Sequence, residues 1–148
     1  MAVEFARLVS GQSVRLRELN RFFAATFPDP ELLDLPEPDH AADERWLGSD
    51  MNIALATYHE RRIVGGLVAY RLDKIEGRRE FYIYDLAVAE KFRRQGIATR
   101  LVAEVRGVAR ACGAWVIFVQ ADYADPPAVA LYEKLGTREE VLHFDLEP

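Results

Sequence analysis

Residues 82–98 read YIYDLAVAEKFRRQGIA, and this stretch decides the fold. It starts as a strand and ends inside a helix. Tyr82, Ile83, Tyr84, Leu86 and Val88 are β-branched, aromatic or large apolar residues in a short run, which favours a buried strand. A polar, basic turn follows over residues 90–95. From Gly96 the apolar residues Ile97, Leu101, Val105, Val108 and Cys112 recur in steps of three or four and trace one helical face.

A strand, a basic glycine-bearing turn and a helix in that order form a place where phosphate binds. The first turn of a helix offers unpaired N–H groups and partial positive charge. Lys91, Arg93 and Arg94 add cations, and Gly96 lets a ligand approach the backbone. A Walker loop and a dinucleotide fingerprint both need glycines that are absent here. The pattern that fits is Arg/Gln-x-x-Gly-x-Gly/Ala, met by Arg93, Gly96 and Ala98. On these residues the chain resembles the GNAT family of N-acetyltransferases, in which this turn holds the pyrophosphate of acetyl-CoA. The resemblance makes Arg93, Arg94, Gln95, Gly96, Ile97 and Ala98 candidate cofactor-binding residues. A solvated helix cap is the alternative reading of the turn by itself.

The chain has 148 residues, half of them hydrophobic, which suits one domain over 1–148 with a sizeable core. The N-terminal MAVEFARLVS has no signal-peptide character, no apolar run approaches a membrane span, and the single cysteine, Cys112, fits a reducing compartment. A cytoplasmic protein without a membrane partner is expected. Net charge is −5, which argues against a nucleic-acid partner, and its distribution is uneven. Residues 29–50 hold eight acids against Arg45 alone, residues 91–110 hold six cations against Glu104, and residues 122–148 are acidic again. That layout suits an anionic cofactor beside a cationic substrate, or merely an acidic soluble surface.

Around the central stretch the elements fall in order. A first strand is expected near residues 3–9, then a helix to about Thr26 capped by Ser10, with Val14, Leu16, Leu19, Phe22 and Phe23 on its apolar side. Pro28, Pro30, Pro36 and Pro38 make a loop, and Asp39 caps a second helix to about Leu47. Residues 53–58 and 63–72 read as a β-hairpin, with Gly65 and Gly66 allowing a bulge or a close neighbour. After the helix from Gly96, Gly113 is a stop and residues 115–121 are a strand, so that a parallel crossover is expected. Asp125, Pro126 and Pro127 open a short helix to Leu135, and residues 137–146 read as a closing strand. The fold class is α/β: a mixed, mostly antiparallel sheet with a parallel crossover in the middle, flanked by helices.

A second motif, DPPAVALYEKLG over residues 125–136, supports the first. Ala128, Leu131, Tyr132 and Leu135 share one helical face, which turns Tyr132 inward, where its hydroxyl needs a partner. A backbone carbonyl would suffice. The motif is similar to the GNAT run Asn-x-x-Ala-x-x-Leu-Tyr-x-Lys-x-Gly-Phe, in which the tyrosine lies near the thioester sulfur. Ala128, Leu131, Tyr132, Lys134 and Gly136 match, while Asp125 and Thr137 depart from it. Together with YIYDLAV, RRQGIAT, VIFVQADY and REEVLHFD, the motifs resemble aminoglycoside 3-N-acetyltransferases of the gentamicin and fortimicin type over residues 50–148. The implied reaction is acetylation of the 3-amino group of deoxystreptamine, with aminoglycoside resistance as its consequence.

The implied roles follow from that resemblance. Tyr132 protonates the departing thiolate, and the backbone of Leu86, Ala87 and Val88 grips the pantetheine, with Asp125, Ala128 and Leu131 as further cofactor contacts. An ammonium acceptor must lose a proton before it attacks, so a carboxylate base is needed. Asp85 is the candidate and Asp122 the alternative, although strict alternation sets Asp85 opposite Tyr82 and Tyr84 unless a bulge changes the parity. Tyr84, Asp122, Tyr123, Glu139, Glu140, His143 and Asp145, with the acidic loop over residues 37–43, are the substrate-side candidates, and each could be only a solvated face. Cys112 lies about 24 Å along the helix from Gly96, so direct transfer is expected rather than a covalent acetyl-enzyme. The histidines show no metal-ligand spacing. Open strand edges suggest a homodimer. The alternatives are an acetyltransferase acting on a polyamine or a protein amine, and a non-catalytic acyl-CoA-binding module.

Overall fold

The computed structural model describes residues 2–148. In chain order the elements are β1 (Glu4–Arg7), α1 (Ser13–Thr26), α2 (His40–Leu47), β2 (Asn52–His59), β3 (Arg62–Asp73), β4 (Arg79–Val88), α3 (Ile97–Ala111), β5 (Val116–Val119) and α4 (Pro126–Leu135). They form one sheet in the order β1-β2-β3-β4-β5, antiparallel except for the parallel β4–β5 pair. The expected mixed sheet and parallel crossover are therefore present.

Alternation along the strands divides the core into two. One face carries Ile53, Leu55, Leu67, Ala69, Phe81 and Ile83 and is covered by Ile97, Leu101 and Val105 of α3, with Tyr132 and Leu135 of α4 at its margin. The other carries Ala54, Ala56, Val68 and Ala87 and is covered by Leu16, Leu19 and Phe23 of α1 and Leu47 of α2. Small residues on this second face let α1 settle close to the sheet. Gly66 is the extreme case, since a Cβ there would overlap Leu19 Cδ1 and stand 3.0 Å from the Leu55 carbonyl oxygen.

The prolines leave a loop with one 3-10 turn, Pro30–Leu32, and Asp39 caps α2 by accepting from Ala42 N–H. Gly113 ends α3 at φ +70, and Ala114 N–H bonds back to the Ala109 carbonyl. Four expectations need correction. Ser10 does not cap α1: Gly11, at φ +92, turns the chain first, and the Glu44 carboxylate of α2 accepts from Gly11 N–H (2.8 Å) and Ser13 N–H (3.1 Å). Val14 is on the solvent side of α1, 69% exposed. The strand expected over residues 115–121 is only Val116–Val119. Residues 137–148 form neither helix nor strand: Arg138 and Glu140 hold their base against α4 and Tyr123, and Leu142, Phe144 and Leu146 beyond it stand in solvent, with no apolar face to seat them.

Candidate active site

The site grows from an inequality of length between two neighbouring strands. The β4–β5 ladder runs from Glu80↔Val116 to Ile83↔Val119 and stops, whereas β4 continues to Val88. Asp85 to Val88 thus pair with β3 on one side and turn a bare backbone edge to the gap on the other. Leu86, Ala87 and Val88 lie on that edge.

A bulge sits at the same place. Ile83 stands opposite Ala69 and Asp85 opposite Val68, so Tyr84 is one residue too many. Below it Phe81 and Ile83 face the α3 core; above it Leu86 and Val88 do. Asp85 therefore shares the α1–α2 face with Tyr82 and Tyr84, which resolves the parity conflict that alternation alone creates. Asp85 is half-buried, and desolvation pushes its carboxyl up from the ordinary range.

That face carries an aromatic row that reading the sequence misses. Trp46 of α2 meets Tyr70 edge-on at 6.2 Å, Tyr70 meets Tyr84 at 6.0 Å, Tyr84 meets Tyr82 at 5.4 Å, and Tyr82 stacks on Phe118 at 4.8 Å. Tyr82 donates to Gln120 Oε1 at 2.9 Å, which joins β4 to the end of β5. Asp85 raises the pKa of both Tyr70 and Tyr82, though burial contributes more in each. The signal available in the sequence was the aromatic alternation of Tyr82 and Tyr84, but Trp46, Tyr70 and Phe118 join it only through sheet register.

Beyond β4 a 3-10 turn, Glu90–Phe92, is anchored by buried Phe92, and Arg93 donates from Nε to the Val88 carbonyl at 3.0 Å. Arg93 thus braces the turn to the strand end. Arg94 and Gly96 both take left-handed φ, 59° and 80°. Arg100 N–H makes its helical bond to the Gly96 carbonyl, and α3 starts with no acid in its first turn and, among the described residues, no side-chain cap. The N–H groups of Ile97, Ala98 and Thr99 therefore have no partner among the described residues, as at a helix start that an anion completes. Nothing would meet a Cβ on Gly96, so its glycine answers to φ and not to crowding. The fit to a pyrophosphate and an extended amide chain is good: capless N–H groups at one end, a free strand edge at the other.

On the opposite face of the sheet, Tyr132 packs with Leu135 against the α3 core. Burial, then the nearby Asp125 carboxylate, pushes its phenol up to about 12. Its hydroxyl has no hydrogen-bond partner among the described residues, so the alternative reading of a backbone carbonyl partner is not met. Asp125 itself caps α4 through Ala128 N–H at 3.2 Å, which leaves Ala128 and Leu131 on the half-buried side of that helix.

Several acidic candidates are committed to the fold. Glu37 accepts two bonds from Arg21 at 2.9 Å each, Asp39 caps α2, Asp43 is buried against Arg17 of α1, and Glu44 caps α1. The acidic loop thus ties α1 to α2 instead of lining a pocket. Asp122 accepts from Ala124 N–H within its own turn, Glu140 binds Tyr123 and Arg138, and Asp145 pairs with His143 at 2.8 Å. Glu139 is exposed. Of the candidates, Tyr84, Asp85 and the backbone of Leu86, Ala87 and Val88 stand where β4 runs past β5, and Tyr132 packs on the α3 side of the sheet. Cys112 hydrogen-bonds to the Ala109 carbonyl at the far end of α3. Among the described residues no group of three His, Cys, Asp or Glu side chains could hold a metal ion, and no helix is long and apolar enough to cross a membrane.

Comparison with known proteins agrees with this geometry. The sequence profile described as the Acetyltransferase (GNAT) family matches residues 16–137. A crystal structure of an aminoglycoside acetyltransferase from an uncultured soil metagenomic sample is similar at 47% identity, covering 100% of this chain and 99% of that one, with a TM-score of 0.94. A second soil metagenomic aminoglycoside acetyltransferase, solved in complex with sisomicin, is 29% identical over 99% of this chain and 96% of its own, TM-score 0.88. An aminoglycoside N-acetyltransferase solved with CoA, 16% identical over 99% of this chain and 95% of its own at TM-score 0.80, shares the fold. No curated protein sequence matches significantly. A bare β4 edge leading to a capless helix start, a matching family profile over most of the chain and a near relative at 47% identity together establish that this chain belongs to the GNAT acetyltransferase family.

Proposed function

We propose that the chain, acting as a single cytoplasmic domain, uses acetyl-CoA to acetylate an amino group of an aminoglycoside, the 3-amino group of deoxystreptamine, and so confers resistance. One observation carries the reading most: β4 outruns β5 and bares its edge beside a desolvated carboxylate, Asp85, while on the other face of the sheet an inward tyrosine, Tyr132, has no hydrogen-bond partner among the described residues. The 47% identical relative, described as an aminoglycoside acetyltransferase, supports the substrate class.

Acetyl-CoA supplies an acetyl group activated as a thioester. The chain's own residues do the rest. N–H groups of Ile97, Ala98 and Thr99, with Arg94 and Lys91 nearby, hold the pyrophosphate, and the free edge of Leu86, Ala87 and Val88 orients the extended arm by strand-like hydrogen bonds. A backbone N–H of that edge polarises the carbonyl. Asp85 accepts the proton that leaves the acceptor ammonium, a task its raised pKa favours. Tyr132 keeps its proton at Oη and donates a hydrogen bond toward the departing sulfur. The Trp46–Tyr70–Tyr84–Tyr82–Phe118 row receives the sugar rings and their ammonium groups on π faces.

The same geometry serves a polyamine or a protein amine, but an aromatic row of five rings suits fused or linked rings better than a flexible chain. NMR of the product of gentamicin acetylation locates the new amide. A downfield shift confined to the proton geminal to the 3-amino group supports the proposal; a shift at another amine moves the regiochemistry while leaving the acetyltransferase intact.

A further inference from the structure

Gly65 and Gly66 stand side by side in β3 and answer to opposite faces of the sheet. Gly66 makes room for α1. Gly65 faces α3, and a Cβ placed there would stand 3.3 Å from the Ala87 carbonyl oxygen, 3.3 Å from Ile97 Cγ2 and 3.5 Å from Thr57 Cβ. The first two contacts are tighter than a methyl group ordinarily makes. The Gly65 φ lies outside the left-handed region, so space and not backbone freedom calls for glycine at this position. A glycine inside a strand weakens it, which leaves the closeness of these neighbours as the gain.

None of the three neighbours steps aside by itself. The Ala87 oxygen is backbone, fixed in the β3–β4 ladder, where Gly65 stands opposite Val88 and Gly66 opposite Ala87. Ile97, only 4% exposed, is the first residue of α3. A β-branched side chain in a helix has one strongly preferred χ1, so its Cγ2 follows the backbone. Thr57 is wholly buried on β2, opposite Gly65. Gly65 is thus the point where the β4 edge and the start of α3 rest against each other. Those are the two places that hold the extended arm and the pyrophosphate in the proposed reading.

We propose that Gly65 is a positioning residue for acetyl-CoA. By lacking a side chain it sets the distance between the edge of Leu86, Ala87 and Val88 and the N–H groups of Ile97, Ala98 and Thr99, so that one cofactor molecule satisfies both. The inference rests on the proposed function and extends it to a buried residue that acts through Ala87 and Ile97. A linked ligand gains over its separate halves because binding one half holds the other at its own subsite, and the gain depends on the two subsites matching the length of the link. A methyl group at Gly65 forces Ile97 and the β4 backbone apart by a few tenths of an ångström. Each subsite survives that shift, while the link between them is strained. The loss therefore falls on the whole cofactor and spares its halves.

The test uses the full chain and compares the cofactor with its halves: acetyl-CoA by calorimetric titration, and ADP, which carries the diphosphate, and S-acetylpantetheine, which carries the arm, by NMR titration. Gly65→Ala is expected to weaken acetyl-CoA by about tenfold while each half stays within about twofold of the wild type. Ile97→Ala, which vacates the other side of the contact, is expected to give the same split and carries the test if Gly65→Ala does not fold. Gly65→Ala combined with Ile97→Ala refills the space, and this double variant is expected to bind acetyl-CoA more tightly than either single variant that folds. A folded single variant that binds acetyl-CoA as the wild type does, an equal loss on ADP or on S-acetylpantetheine, or a double variant no better than the singles overturns the positioning role. A wild-type chain that binds no acetyl-CoA overturns the cofactor reading and this inference together. Even losses across whole and halves, from a wild type that binds acetyl-CoA, overturn the positioning role alone.

Discussion

Asp85 and Tyr82 lie on the same face of the sheet although three positions separate them in β4. Regular alternation would put them on opposite faces. The extra residue at Tyr84 restores them to one side, at the point where β4 loses β5 as a neighbour. A carboxylate is thereby set among aromatic rings beside an open strand edge, and burial raises its pKa.

Asp85→Asn separates catalysis from stability. Losing the base is expected to lower kcat by about 100- to 10,000-fold and to abolish the acidic limb of the pH profile, which in the wild type lies above the ordinary carboxylate range. Stability moves the other way. A carboxyl whose pKa is raised on folding stabilises below its unfolded pKa and loses that contribution as pH rises through the folded value, so at neutral pH its charge is a cost. The Tm of Asp85→Asn at neutral pH is therefore expected to rise by about 1–3 °C, checked by calorimetry, with the gain shrinking as pH falls.

Burial, then the Asp125 carboxylate, pushes the Tyr132 phenol up to about 12, above the roughly 8.5 of an ordinary thiol, which favours hydrogen bonding to the departing sulfur over full proton transfer. Tyr132→Phe is expected to lower kcat by about 10- to 100-fold, the worth of one hydrogen bond to a charged group, with acetyl-CoA binding intact by calorimetric titration. Because the phenol titrates at about 12, the pH–rate profile keeps its shape in the variant. An alkaline limb that vanishes with Tyr132→Phe would contradict this.

Gly66 reports on how closely α1 lies over the sheet. Gly66→Ala forces Leu19, buried at the centre of α1, out of its seat. A loss of about 1–3 kcal/mol in chemical denaturation is expected, the usual cost of overpacking.

Glu37 distinguishes a structural carboxylate from a substrate-binding one. Its two bonds to Arg21 hold the proline loop to α1 at an exposed position. Glu37→Gln is expected to leave the aminoglycoside KM unchanged and stability within about 1 kcal/mol. A tenfold rise in KM would return the acidic loop to the acceptor site.

Much of this was legible in residues 82–98 and 125–136, because a strand, a glycine turn and an amphipathic helix leave strong local periodicity. The parallel crossover, the Asp125 cap and the inward Tyr132 all follow from it. What escaped depends on contacts distant in the chain. The Tyr84 bulge leaves no mark in a run where Tyr82, Ile83 and Tyr84 all favour strands. Glu44 caps α1 from 31 residues away, so Ser10 looked like the better cap. The acids of residues 37–43 read as a substrate-attracting run, and only the structure shows Arg17 and Arg21 taking Asp43 and Glu37. The strand-like alternation after Val141 was readable, but among the described residues that segment pairs with no strand.

The central claim is acetyl transfer to an aminoglycoside amine at the β4–β5 gap. Thiol release from acetyl-CoA, followed with gentamicin, spermidine and a lysine peptide as acceptors at low and raised salt, tests it most directly. Turnover with gentamicin well above the other two, weakening as salt screens the carboxylate that attracts its ammonium groups, is the predicted result. Equal turnover with spermidine or the peptide would contradict the substrate, and tight CoA binding without thiol release to any amine would contradict the catalytic roles of Asp85 and Tyr132.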